Sequence, residues 1–156
     1  MPPHAKAQTG LEVDHATHTI RFVRSFDAPP ELVFKAWTMP EHLSCWWDAA
    51  GGALAVCEID LRVGGSFRFV SPGHPDMPFT GVYLEIVPPH TLVFEALNST
   101  GRVRFVSTGD KTRMTLEIIC KSAEQLEQFL QMGVAAGTSQ TLDNLVAYIA
   151  RQGVAA

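Results

Sequence analysis

The segment KTRMTLEIIC, residues 111–120, alternates apolar and polar side chains, and no other feature restricts the fold as strongly. Met114, Leu116 and Ile118 share one side of a strand, and polar or charged residues occupy the other side. A strand of this kind is typical of an antiparallel sheet that is buried on one face only. Another part of the chain must therefore cover the apolar face of the sheet.

Further segments between residues 54 and 120 read as strands joined by tight turns. They are CEIDLRVGGSFRFV, FTGVYLEIV, TLVFEAL and GRVRFV, separated by glycine, proline and polar turn sequences. An earlier segment, TIRFVRSF at 19–26, predicts a first strand. Arg24 shares the apolar side of that strand with Phe22, so it needs an acidic partner or a position near the strand end.

Two short helices are predicted to follow the first strand. DAPPELVFKAWT places prolines in a first helical turn, where missing N–H groups cost little. TMPE at 38–41 has the spacing of a capping box and predicts the second helix. On that helix Leu43, Trp46 and Trp47 would share one face. If the chain encloses a cavity, we expect one of these indoles to be a buried core residue and the other to stand at the cavity entrance, with Trp46 the one that faces the cavity.

The last part of the chain has helical periodicity from Ser122 onward, over about 30 residues. It is the one segment long enough to cover the sheet. Gly133 and Gly137 lie within its apolar stripe, and glycine inside a helix costs about 1 kcal/mol relative to alanine. Two explanations stay open: close helix-to-sheet packing, or a ligand cavity formed because Gly133, Gly137 and Thr141 are small.

Bulk composition excludes some partners. A net charge of -4 and a pI near 5.8 give no reason to expect nucleic acid or an anionic membrane as a partner. The chain lacks the run of about 18 apolar residues that a membrane span needs. We expect residues 1–17 to be a flexible tail and residues 18–152 to be a single domain.

Cysteines and histidines give no sign of a metal or a disulfide framework. Cys45, Cys57 and Cys120 are odd in number and widely spaced, which is typical of reduced, buried thiols in a cytoplasmic protein. His42 either reaches the cavity mouth or is an exposed helix residue, and the second is favoured. We expect no metal and no cofactor, and we assign no catalytic residue.

The element order β-α-α-β6-α, with its motifs in register, resembles the helix-grip fold of the START, polyketide-cyclase and birch-pollen-allergen superfamily (SRPBCC). The chain looks most like the branch named for the activator of heat-shock protein 90 ATPase. The segments that carry the resemblance are FDAPPELVFKAWT (26–38), HLSCWWD (42–48), IDLRVGGSFRF (59–69), FTGVYLEIVPPHTLVFEA (79–96) and AGTSQTLDNLVAYI (136–149).

This resemblance implies an α+β fold, in which a curved antiparallel sheet wraps around a long C-terminal helix and leaves an elongated hydrophobic cavity between them. The chain departs from its relatives at three positions. Thr138 and Ala96 stand where relatives commonly carry a large ring, which should enlarge or reshape the cavity. Asn144 replaces a basic residue, which puts any salt bridge from that position in doubt.

The predicted function is binding of a small hydrophobic or aromatic molecule in that cavity. The alternatives are a cyclase-type or hydrolase-type enzyme and, with less support, a co-chaperone acting on a heat-shock protein ATPase; whether the chain forms a homodimer stays open. If Tyr83 and Glu85 point inward, they are the best polar contacts, and Glu85 is the candidate acid or base. The predicted ligand contacts are Trp46, Phe67, Phe69, Tyr83, Glu85, Phe94, Phe105, Met114, Gly133, Gly137, Thr138 and Thr141.

Overall fold

A computed structural model describes residues 10–155, with side chains described as far as residue 151. Its framework is one antiparallel sheet of 8 strands. The strands are β1 (Gly10–Asp14), β2 (Thr19–Phe26), β3 (Val56–Ile59), β4 (Ser66–Val70), β5 (Phe79–Val87), β6 (Thr91–Ala96), β7 (Ser99–Thr108) and β8 (Lys111–Ile119). Their order across the sheet is β1-β2-β8-β7-β6-β5-β4-β3. Strand β2, near the start of the chain, therefore pairs with β8, the last strand.

The helices lie against one face of this sheet. They are α1 (Pro30–Thr38), α2 (Pro40–Leu43), α3 (Ala123–Gln131) and α4 (Val134–Ala155). Phe22 of β2, Phe105 of β7 and Leu145 of α4 are fully buried in one hydrophobic cluster. The predicted α+β architecture, a curved antiparallel sheet closed by a C-terminal helix, is confirmed.

The N-terminal prediction needs a correction. Residues 10–14, assigned to a flexible tail from the sequence, form strand β1 and pair with β2 in register from Gly10 to Asp14. Their short alternation is weak on its own and becomes a strand because β2 offers an edge to pair with. Residues 1–9 of the predicted tail lie outside the described residues.

The long C-terminal helix is in fact two helices. Gly133 has a φ of +81°, a left-handed conformation that ends α3 and that glycine adopts without strain. The apolar spacing continues across the break, which is why the sequence predicts one helix. Gly133 is therefore a helix-ending residue and not an interior one.

Arg24 has the acidic partner that its position requires. Its side chain is 5% exposed, and its Nε donates to Oδ1 of Asp143 on α4 at 3.1 Å. Its Nη2 donates to the hydroxyl of Ser139 at 2.8 Å, and Nη1 reaches the carbonyl of Gly10 at 3.3 Å. This one guanidinium therefore joins β1, β2 and α4.

Candidate ligand cavity

A cavity of about 670 Å³ lies between the sheet and the helices. Strands β5 to β8, helices α1, α3 and α4, and the loops 46–50 and 71–74 contribute to its wall. The lining is mainly aromatic, aliphatic or small: Trp37, Trp46, Trp47, Asp48, Ala49, Ala50, Ser71, His74, Phe79, Phe94, Ala96, Leu97, Ser99, Gly101, Leu116, Ile118, Phe129, Val134, Gly137, Thr138, Thr141 and Leu142. This size and character are those of a small-molecule pocket.

Three tryptophans form one aromatic wall of the cavity. The ring centroids of Trp37 and Trp46 are 5.0 Å apart, and those of Trp46 and Trp47 are 5.7 Å apart. Trp47 also contacts the ring of Phe79 at 5.2 Å. Such tilted and edge-to-face ring pairs are favourable beyond the area they bury.

The two consecutive tryptophans have different environments. Trp46 is fully buried, and its indole N–H donates to the carbonyl of Ala36 at 3.0 Å. Trp47 is half-buried and packs between the sheet and the cavity. Both indoles line the cavity, with Trp46 held as part of the core and Trp47 at the more open position.

Five of the predicted ligand contacts meet in this lining: Trp46, Phe94, Gly137, Thr138 and Thr141. Phe94 is placed by a glycine on the neighbouring strand. Gly101 pairs with Phe94 in register, and a Cβ at Gly101 would overlap the Phe94 ring. A glycine inside a strand is a sequence signal for such a close approach.

Three predicted contacts belong to a neighbouring aromatic cluster instead. The ring of Phe67 lies 5.0 Å from that of Phe69 and 5.2 Å from that of Tyr83. They surround a void of about 10 Å³, which is no larger than one water molecule needs. Burial raises the pKa of the Tyr83 hydroxyl.

Phe105 and Met114 pack deeper in the core and are absent from the cavity lining. The ring of Phe105 contacts that of Phe34 at 5.6 Å. The sulfur of Met114 accepts a hydrogen bond from the indole N–H of Trp37 at 3.3 Å. Met114 thus packs against Trp37, which lines the cavity.

Glu85 and Gly133 lie away from the cavity. Alternation predicts that Tyr83 and Glu85 share one face of β5. A shift in the register of β5 against β6 between these two residues puts their side chains on different faces. Tyr83 points inward and Glu85 is exposed. The candidate acid or base is therefore on the outer surface, a correction that the sequence could not supply because nothing in it marks the bulge.

The polar groups of the lining are few. The Thr141 hydroxyl donates to the carbonyl of Gly137 at 3.0 Å or that of Trp47 at 3.2 Å. The Ser99 hydroxyl donates to the carbonyl of Ala96 at 2.8 Å. Asp48 and His74 are the titratable side chains of the lining. Asp48 was not singled out from the sequence, where it is one more polar residue after the tryptophan pair.

His42 and the cysteines lie outside the lining. Nδ1 of the half-buried His42 pairs with the hydroxyl of Tyr148, which follows Thr141 by about two turns of α4 and is absent from the cavity lining. Cys120 is buried, and burial raises the pKa of the half-buried Cys57 thiol to about 11. Cys45 is exposed, contrary to the expectation of buried thiols.

A known protein family matches this chain over most of its length. The family described as Activator of Hsp90 ATPase homolog 1-like protein matches residues 27–150. The chain belongs to this family. The match spans helices α1 to α3, α4 as far as residue 150, strands β3 to β8 and every lining residue of the cavity.

Solved structures share the fold of this Activator of Hsp90 ATPase homolog 1-like chain. Protein Ms6760 from Mycobacterium smegmatis has a TM-score of 0.80 at 24% identity, covering 92% of this chain and 98% of that one. Protein NE0264 from Nitrosomonas europaea has a TM-score of 0.78 at 23% identity, covering 87% and 96%. CalU16 from Micromonospora echinospora has a TM-score of 0.64 at 26% identity, covering 87% and 78%.

No curated protein matches the chain in sequence. Among the described residues, no helix has both the length and the apolar character to cross a membrane.

Proposed function

We propose that this protein binds a small hydrophobic or aromatic ligand in the cavity between the sheet and α4. The observation that carries the proposal is the cavity of about 670 Å³, with the indoles of Trp37, Trp46 and Trp47 along one wall. Pockets that take small molecules are lined mainly by apolar and aromatic side chains with a few polar groups, as here.

Two departures from the family pattern support the same proposal. Ala96 and Thr138 stand where the resemblance implies large rings, and both line the cavity. A ring at either position would occupy part of the volume that is empty in this chain. The small residues therefore favour a ligand of substantial size.

The enzyme alternative loses its best candidate residue. Glu85 is exposed, and Tyr83 belongs to the adjoining aromatic cluster and not to the cavity lining. No hydrogen bond found among the described residues joins a hydroxyl of the lining to His74 or Asp48, so binding is the function that this geometry favours.

The test fills the cavity from α4. A Cβ built on Gly137 meets nothing within 4 Å, so leucine fits there and projects into empty space. We expect Gly137→Leu to lower the affinity for the neutral fluorescent dye N-phenylnaphthylamine by about tenfold or more, which corresponds to about 1.4 kcal/mol. The matched control is Ala136→Leu, since Ala136 is exposed on the same helix and outside the lining.

Dye fluorescence and quenching of tryptophan emission report the binding. An unchanged dye affinity in Gly137→Leu would show that the dye binds elsewhere. If wild-type protein takes up no dye or other apolar aromatic probe, the proposed function is wrong.

A further inference from the structure

We propose that the cavity selects hydrophobic ligands that carry a protonated amine over carboxylates of the same skeleton. This inference rests on the proposed binding function and adds the chemical class of the ligand. The charge and the hydrogen-bonding character of the cavity wall carry it.

The charge of the wall is negative. Asp48 places a carboxylate in the lining, and neither lysine nor arginine is among the lining residues. No ion pair found among residues 10–151 includes Asp48. A ligand carboxylate would therefore enter an apolar site with no lysine or arginine to pair with and with a like charge nearby, and both effects oppose binding.

Asp48 is held in place and retains a free acceptor. Its Oδ1 accepts from the backbone N–H of Ala50 at 3.0 Å, and its backbone carbonyl accepts from Nδ2 of Asn144 at 3.1 Å. Within the part of the chain that the structure describes, Oδ2 accepts no hydrogen bond and keeps exposed surface. A fixed carboxylate with an unused oxygen is suited to an ammonium donor.

Four polar groups of the lining have already donated their hydrogens to the protein, whereas no such bond is found among the described residues for the Ser71 and Thr138 hydroxyls or the Trp47 indole. The Ser99 and Thr141 hydroxyls donate to backbone carbonyls. The indole N–H groups of Trp37 and Trp46 donate to Met114 and to Ala36. These groups offer a ligand few donors, whereas the hydroxyl oxygens keep lone pairs that can accept from an N–H group.

The aromatic wall points to the same ligand class. Trp47, the half-buried indole of the lining, directly precedes Asp48 in the chain, whereas Trp37 and Trp46 are almost completely buried behind it. Tryptophan is the side chain that attracts cations most strongly through its ring face, and the attraction increases where water is excluded. A carboxylate next to a partly exposed indole in one cavity is the chemistry that recognises an organic cation.

The experiment compares three probes with one ring system: naphthylmethylamine, naphthylmethanol and naphthoic acid. In calorimetric titrations of the full chain we expect the amine to bind most tightly, and about tenfold or more above the acid. Asp48→Asn keeps the side-chain shape and removes the charge, so it should abolish the amine preference and lower the amine affinity much more than the alcohol affinity.

Three control variants complete the design. Asp48→Glu should keep the amine preference. Asp110→Asn makes the same charge change in the β7–β8 turn, outside the lining, and should also keep it. His74→Ala removes the other titratable side chain of the wall and should not reverse the order of the probes.

The outcomes separate the two proposals. If all three probes bind equally, or the acid binds best, the inference is wrong while ligand binding stands. If the amine preference survives Asp48→Asn in a protein whose thermal unfolding is unchanged, the role of Asp48 is wrong. If no probe binds at all, the proposed function fails, and the inference fails with it.

Discussion

The Thr141 hydroxyl of α4 lies 3.2 Å from the backbone carbonyl of Trp47. One turn further along the same helix face, Nδ2 of Asn144 donates to the carbonyl of Asp48 at 3.1 Å. Helix α4 therefore holds the segment that carries Trp46, Trp47 and the Asp48 carboxylate of the cavity. The loop after α2 has little regular structure of its own, so these side-chain hydrogen bonds position it.

Removing the Asn144 side chain should loosen that segment. We expect Asn144→Ala to destabilise the fold by about 1 kcal/mol, because the half-buried Asp48 carbonyl loses a hydrogen bond. Hydrogen exchange should become faster in residues 46–52, and thermal unfolding should begin at a lower temperature. Gln140→Ala is the control, since it removes only the bond from Gln140 to Oδ1 of Asn144. Equal exchange rates in residues 46–52 of the two variants would contradict the role of Asn144.

The two glycines near the start of α4 should respond to alanine in opposite directions. Gly137 is helical and a Cβ there meets nothing, so Gly137→Ala should stabilise the fold by up to about 1 kcal/mol. Gly133 has a φ of +81°, so Gly133→Ala should destabilise it by about 1 kcal/mol. Urea unfolding of both variants measures the difference. A gain in stability from Gly133→Ala would show that α3 and α4 are not separated by a left-handed residue.

Strand β8 and Gly133 show which structural features can be predicted from the sequence and which cannot. Alternation in KTRMTLEIIC correctly places Met114 and Leu116 inside, because a strand has only two faces and one is buried. Helical spacing cannot reveal the break at Gly133, because the apolar period continues from α3 into α4. The break depends on a backbone angle, and only its glycine is visible in the sequence.

The cavity could be predicted in location but only partly in composition. Gly137, Thr141 and Phe94 follow from the periodicity of the elements that carry them. Glu85 does not, because the bulge in β5 shifts the register after Tyr83. Trp47 and Asp48 do not either. Helical spacing puts both tryptophans on one face without deciding which is more open, and Asp48 lies beyond the last helical hydrogen bond, from the Trp47 N–H to the Leu43 carbonyl. Contacts between distant segments decide these positions.

Arg24 should be more important for stability than its ion-pair partner. Arg24→Ala leaves the Ser139 hydroxyl and the Gly10 carbonyl without their partner, and we expect a cost of about 3 kcal/mol. The Asp143 side chain is 59% exposed, so Asp143→Ala should cost about 1 kcal/mol or less. Denaturant unfolding of the two variants tests this order. Equal losses would mean that the Arg24 bonds to Ser139 and Gly10 contribute little.

Acid should weaken the fold partly through Glu117. Burial alone would raise the pKa of this carboxyl, but hydrogen bonds from Arg102 and Arg21, both at 2.9 Å, hold the pKa below its ordinary value. A lowered pKa in the folded state adds stability above the ordinary glutamate pKa, and this contribution is lost as pH falls through the folded value. Stability should therefore fall less steeply with acid in Glu117→Gln than in wild type.

Urea unfolding at a series of acidic pH values measures that slope. Glu58→Gln is the matched control, because Glu58 is exposed and its ion pair with Arg68 is long, at 3.9 Å. Parallel pH curves for wild type and Glu117→Gln would contradict the assignment.

A large ring at position 138 or 96, where the family resemblance implies one, should fill part of the cavity. Thr138→Trp and Ala96→Phe both place aromatic atoms where the wall now borders empty space. Filling a cavity buries apolar surface that was unpacked, so we expect each variant to keep or raise its melting temperature while its capacity for N-phenylnaphthylamine falls. Ala147→Trp adds the same ring to an exposed site on α4 and should leave dye binding unchanged. If Thr138→Trp binds the dye as tightly as wild type and folds normally, the dye does not occupy the space beside α4, and the ligand site must be sought in another part of the molecule.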